Sequence, residues 1–383
     1  MGNLEAVVAI VTAIAVGSDS GGSRVRESTP TVAMYATGPR PRSIAIADLD
    51  GDGRRDVVVA CSGDDTVQLV MGAADGQLRH RPPSISAGND PSDVETVDVD
   101  RDGDADLVVA NHETSKITVL INDGRANFKA AADSPYESGA RPHIHGLATG
   151  DFDGDGWIDF AVESADTREL RVFTGGATGF SDAKSVPVGT MPYSRLGAAD
   201  VTGDGRVEIL VPGHGNNSVL VVADGQRVLT SFTTSLPAQP WMVVGDDVNG
   251  DHRADVVAVV SDGVAVLLAA PNGLTPAPGS PFAVTSATEV ATGDLDGDGI
   301  ADIVVGPWEG NEVTILTGGT FSRRTVRTCA RPIGLAVSDL NGDGRGELVA
   351  ACSSENRLVV VNLATGHGAV QHPDSVGRPP AGG

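Results

Sequence analysis

The stretch Asp294-Leu295-Asp296-Gly297-Asp298-Gly299-Ile300-Ala301-Asp302 limits what this chain can fold into more than any other. It sets four carboxylates at positions 1, 3, 5 and 9 of a nine-residue frame, with glycines between them. Acids crowded into so small a volume repel one another and hold their protons unless a cation sits among them. Calcium suits the pattern, because it takes six to eight oxygens from carboxylates, carbonyls and water at about 2.3–2.6 Å. Position 7 would add its backbone carbonyl, and the glycines permit the positive-φ turns of so tight a loop. A single such loop could also be a solvated acidic turn.

Repetition favours the metal. The frame opens at Asp48, Asp98, Asp151, Asp200, Asp247, Asp294 and Asp339, in steps of 50, 53, 49, 47, 47 and 45 residues. Repeats of about that length belong to solenoids, propellers or arrays. Loop one offers Asp48, Asp50, Asp52 and Asp56; loop two Asp98, Asp100, Asp102 and Asp106; loop three Asp151, Asp153, Asp155 and Asp159; loop six Asp294, Asp296, Asp298 and Asp302. Loop five has Asp247, Asn249, Asp251 and Asp255, and loop seven Asp339, Asn341, Asp343 and Glu347. Loop four, with Asp200, Thr202, Asp204 and Glu208, has fewer charges and is expected to bind most weakly. The carbonyls at position 7 belong to Arg54, Asp104, Trp157, Arg206, Arg253, Ile300 and Arg345, giving up to seven calcium sites. The Asp104 side chain is expected to point to solvent. His252 replaces the usual glycine of position 6 and is expected to be exposed, on a less comfortable backbone.

The flanks of the loops decide the architecture. A short alternating segment such as Ser43-Ile44-Ala45-Ile46-Ala47 precedes each loop, and an apolar run such as Asp56-Val57-Val58-Val59-Ala60 follows it. A third run, such as Val67-Gln68-Leu69-Val70, comes after a short polar break. These β-branched runs bounded by Gly, Asn, Asp and Pro read as strands. An EF-hand would need helices on both sides and a Glu at loop position 12. With a less regular fourth strand, such as Thr325-Val326-Arg327, each repeat makes a four-stranded antiparallel blade, and seven blades close a ring. The last repeat runs out after Leu358-Val359-Val360-Val361, so Thr31-Val32-Ala33-Met34-Tyr35 is expected to supply the missing outer strand of blade seven.

Seven Asp-x-Asp-x-Asp-Gly-x-x-Asp loops between strands resemble the FG-GAP/VCBS repeats of bacterial surface proteins, fungal propeller lectins and the integrin α-subunit head. The resemblance runs over about residues 30 to 365 and implies an all-β, calcium-binding seven-bladed β-propeller. Function is implied less tightly, since some relatives bind glycans or surface proteins and others are polysaccharide lyases or sugar dehydratases.

Composition fits one large β domain over residues 31–365. Only 4% of residues are aromatic, so Val, Ile, Leu and Ala must fill the spaces between blades. The net charge of −24 and the lack of a Lys/Arg cluster argue against nucleic acid. Of 51 acidic residues, 25 occupy side-chain positions of the loops, so the acidity is largely that of metal sites. Residues 6–16 form an apolar run too short to span a bilayer, which fits a signal peptide over residues 1–17. Met1–Glu5 lacks Lys and Arg, which leaves a mis-called gene start or an edge strand as the other readings. Residues 18–30 read as a flexible linker and 366–383 as a disordered tail. The expected setting is secreted or cell-surface, periplasmic or extracellular, in a bacterium, where calcium is plentiful. A Cys329–Cys352 bridge and three unpaired thiols, with Cys61, are both open.

The acidic loops join the first and second strands of each blade and so share one face. The opposite face gathers His112, His143, His145, Tyr193, His214, Trp241 and Trp308. Aromatic rings stack on sugar faces while amides and carboxylates bond hydroxyls, so a carbohydrate site is chemically reasonable. The rings could instead only pin loops, or the histidines could form a second metal site or an acid–base set. His143 and His145 share a side if their segment is extended. No nucleophile elbow, phosphate loop or dinucleotide fingerprint occurs. The expected function is that of a monomeric, non-catalytic binding module for a glycan or a surface protein. The alternative is a propeller enzyme acting on polysaccharide or sugar.

Overall fold

A computed structural model describes residues 30–229 and 232–363; the segments read as signal peptide and tail, and residues 18–29 of the linker, lie outside them. Seven antiparallel sheets follow one another round a ring. In blade one the strands Pro41–Ala47, Asp56–Cys61, Thr66–Gly72 and Leu78–Ser86 pair in sequence order from the centre outward. The fourth strand is the irregular one. It is broken into two short pieces in blades two, four and five, as Phe128–Ala130 with Tyr136–Glu137 shows in blade two.

The second strand of every blade explains the all-apolar runs. Asp56–Cys61, Asp159–Ser164, Asp255–Val260 and their counterparts are buried at every residue, because each is flanked by a blade on both sides. Successive side chains point to opposite faces. Val58 and Ala60 therefore pack with Leu107 and Val109 of blade two, while Val57 and Val59 pack with Val349 and Ala351 of blade seven. Each of the seven blade junctions has its own apolar cluster. Small β-branched residues let neighbouring sheets pack closely. The larger Phe160 and Phe173 collect where blade three meets blade two, their rings stacked at 4.4 Å between centroids.

The ring closes as the sequence indicates. Thr31–Ala36 pairs antiparallel with Arg357–Asn362, running from Thr31 opposite Asn362 to Ala36 opposite Arg357. Tyr35 turns into the junction with blade one, where its hydroxyl accepts the Leu78 N–H at 3.3 Å. Cys329 and Cys352 form a disulfide with Cα atoms 5.9 Å apart, tying the segment that leads into blade seven to its second strand. Cys61 is a buried free thiol. Among the described residues no helix is long and apolar enough to cross a membrane.

Candidate functional site

The acidic loops share one local design. In loop one, Asp48 accepts backbone N–H groups from Gly51 at 2.9 Å and Gly53 at 2.8 Å, and Asp52 accepts that of Arg54 at 3.0 Å. The first carboxylate thus winds the loop about itself. Position 9 holds the loop to the blade: Asp56, fully buried, accepts Leu49 N–H at 2.9 Å and Gly72 N–H at 2.7 Å. Positions 4 and 6 both lie at positive φ, which glycine adopts without strain. Arg101 at position 4 of loop two (φ 66°) and His252 at position 6 of loop five (φ 66°) adopt it without being glycine. The His252 side chain is exposed. Asp104 is half-buried against the Gly124 turn.

These loops have the donor set a hard cation needs. One carboxylate oxygen from each of Asp48, Asp50 and Asp56 lies within 4.8 Å of the others, and loops two and three repeat the arrangement. The position 3 oxygens of Asp50 and Asp296, and a position 9 oxygen of Asp255, are buried without any hydrogen-bond partner. Burial, with nearby acids adding to it, pushes Asp56, Asp106 and Asp159 up to about 6 and Asp255 up to about 7. Such orphaned, crowded acids fit a dication. Loop four differs. The Thr202 hydroxyl donates to Glu208 at 3.0 Å, satisfying internally what the other loops leave open. In loop seven the Asn341 amide likewise donates to Glu347. Position 7 side chains link adjacent loops, as where the Arg253 guanidinium donates to the Thr202 carbonyl and Arg101 lies 5.1 Å from the Trp157 ring.

The first strands enclose a central cavity of about 530 Å³. Arg195, leading into blade four, reaches across it to Glu289 of blade six at 3.3 Å and Asp93 of blade two at 3.7 Å. It also donates to the carbonyls of Arg42 and Ser92, each at 3.3 Å. Four blades thus meet on one guanidinium. Burial, reinforced by Asp93, pushes Glu95 up to about 8, and burial holds Glu289 at about 7 against the pull of Arg195.

On the side away from the acidic loops, rings from blades two to five make one continuous patch. His112 lies 4.1 Å from His143, His143 4.7 Å from His145, and His145 4.5 Å from Tyr193, between ring centroids. Tyr193 continues to His214 at 5.4 Å, and His214 to Trp241 at 4.5 Å. Six of the seven residues expected on this face therefore meet. Trp308 does not join them; its exposed ring lies under the Arg331 guanidinium at 3.4 Å.

Glu163 anchors the patch. Fully buried in the second strand of blade three, it accepts both the His145 backbone N–H at 2.7 Å and the Nδ1 hydrogen at 2.8 Å through Oε1. Its Oε2 has no partner. Burial, with the Arg42 and Arg195 charges, pushes His145 down to about 4, so its ring is neutral at physiological pH. His112 and His143 are lowered as well, chiefly by burial and then by a neighbouring histidine. Neither Glu163 nor the Arg195 cluster figured among the residues expected from sequence. Glu163 was findable, because four residues after position 9 the other repeats carry Ala60, Ala110, Pro212, Val259, Gly306 and Ala351. Asp93 and Glu95 of blade two, and Glu289 of blade six, also place acids within first strands.

The FG-GAP-like repeat model matches the chain over residues 48–109, 98–162, 247–305 and 294–350. No curated protein matches it by sequence. Among solved structures it is similar to BBS1N in complex with ARL6DN, with a TM-score of 0.60 and 14% identity over 86% of this chain and 93% of that one. It is also similar to virginiamycin B lyase from Staphylococcus aureus, with a TM-score of 0.58 and 12% identity over 87% and 99%. A streptogramin B lyase aligns with a TM-score of 0.57 and 14% identity over 87% and 98%. One similar protein carries a protein partner and the others are enzymes, so the likeness shows the propeller and nothing finer.

Proposed function

Since the chain belongs to the FG-GAP-like repeat family, with model matches over more than half its length, we propose that it is a calcium-stabilised propeller serving as a non-catalytic binding module. Its ligand is a glycan, held on the face opposite the acidic loops. The observation that carries this reading is the contiguous patch of Tyr193, His214 and Trp241 beside the histidines, in a chain with few aromatic residues. Flat amphipathic rings give stacking area for the apolar face of a sugar, and the adjacent polar groups can bond its hydroxyls. Calcium has a structural part here, fixing the loops that join the first and second strands. A secreted or cell-surface setting accords with millimolar calcium and with the Cys329–Cys352 disulfide.

An enzyme reading draws on the His145–Glu163 pair, which resembles a base and its orienting carboxylate. A histidine held near 4 is a weak proton acceptor, however, and general bases work best near the operating pH. The binding reading is therefore preferred. It is tested by a glycan array probed with the wild type and with Tyr193→Ala and Trp241→Ala, in calcium and in EDTA. Specific binding that needs calcium and is lost in both variants is expected. Binding to no glycan in any condition, or binding undiminished in both variants, overturns it.

A further inference from the structure

We propose that His112, His143 and His145 hold one divalent transition-metal ion of the zinc class, at a site separate from the acidic loops. The three rings offer nitrogens within 4.8 Å of one another. Zinc–nitrogen bonds of about 2.0–2.1 Å place tetrahedral ligand atoms about 3.4 Å apart, so a contraction of about 1–1.5 Å closes the set. The backbone arranges the rings for this. His143 and His145 flank Ile144, which is fully buried, so the two imidazoles project together on the other side of the segment. His112 comes from the turn after the second strand of blade two and meets them across the blade junction.

The surroundings supply what a histidine-bound metal requires. The Glu163 oxygen that receives the His145 backbone N–H also takes the hydrogen on Nδ1, which leaves the Nε2 lone pair free for a metal. Carboxylate–histidine–metal relays of this kind fix the tautomer and raise the basicity of the ligand. His112 Nδ1 lies 3.4 Å from Asp90 Oδ2 but is buried without a hydrogen-bond partner, so this ring nitrogen is itself unclaimed. The Arg42 guanidinium beside these rings is paired with Asp90 at 3.3 Å, so its charge is offset. Glu163 adds a second, independent sign: it is a carboxylate fully buried with Oε2 unpartnered, at a repeat position where no other blade has a charged residue. Burial lowers all three imidazoles, which favours the neutral form that ligates. Imidazole donors select zinc, copper, cobalt or nickel over calcium, and three protein ligands leave one position for water or for a ligand atom.

The test uses the full chain, stripped of metal and then saturated with calcium so that the acidic loops are satisfied. Cobalt is titrated while its visible d–d absorption is followed, and zinc is then added. The expected result is one cobalt per chain with the intense absorption of a tetrahedral site, displaced by zinc. That signal disappears in His143→Ala and in His145→Ala, weakens about 10–100-fold in affinity in Glu163→Gln, and is unchanged in His252→Ala. Wild type that takes up no cobalt under calcium overturns the proposal without any variant. So does a His143→Ala/His145→Ala protein, folded by circular dichroism, that keeps the full spectrum. Metal uptake is measured without sugar, so this result and the glycan-array result stand or fall separately.

Discussion

Removing calcium is expected to lower the melting temperature of this protein by an amount that depends on pH in a defined direction. The perturbation acts on the position 9 carboxyls. Without metal, burial holds Asp56, Asp106 and Asp159 at about 6 and Asp255 at about 7, all above the ordinary aspartate value of 3.8. A carboxyl moved from 3.8 to about 6 opposes folding by about 3 kcal/mol at neutral pH when fully dry, and water at the loop mouth reduces that to about 1–2 kcal/mol. Four such groups give about 4–8 kcal/mol, comparable with the 1–4 kcal/mol per site that mass action supplies at ten to a thousand times Kd. In a domain of this size about 1 kcal/mol corresponds to about 1–2 °C, so the expected difference in Tm between calcium and EDTA is about 5–15 °C at pH 7.5. The sign follows from proton linkage. A raised carboxyl favours the folded state below its unfolded value, and that contribution is lost as pH climbs from about 4 through 6 to 7. Calcium demands the ionised form. The gap between calcium and EDTA should therefore narrow toward pH 5 and be widest above pH 7. Taking the difference between two melts at each pH cancels every group that calcium does not touch. Melts by calorimetry or circular dichroism decide it. Equal Tm values with and without calcium at pH 7.5, or a gap that stays constant down to pH 5, would refute the reasoning.

Three further outcomes are expected. Deleting residues 31–36 strips the strand paired to Arg357–Asn362 and leaves an open edge, so the truncated chain should aggregate; size-exclusion chromatography showing an unchanged monomer with unchanged Tm refutes the closure. Gly146→Ala should destabilise by about 1–3 kcal/mol, because the new Cβ would meet Arg195 Cγ at 2.7 Å and Asp93 Oδ2 at 2.9 Å; urea unfolding measures this. Cys61, fully buried and pushed up to about 12 by that burial, should resist a thiol reagent until the ring unfolds, whereas rapid labelling of the native protein would contradict its placement.

Much of this molecule is written locally. The alternation of an acidic frame with β-branched runs every 45 to 53 residues dictates loops, strands and their count, because each is set by neighbours only a few residues away. The carboxylates of each loop wrap the loop's own backbone, so Asp48 or Asp151 could be assigned without reference to the rest of the chain. The closing strand was also legible, since a ring of whole blades with one strand short leaves the N-terminal segment as the piece to fill it. Internal comparison of the repeats would have added Glu163, an acid where the other six repeats have none. What sequence could not supply is the company these side chains keep. Arg195 meets Glu289 across 94 positions and Arg42 across 153, and His145 meets Glu163 across a strand pairing. Those contacts exist because closing seven blades into a ring brings the first strands round one axis, and only that closure decides which charges face each other across the cavity and which rings touch at its mouth.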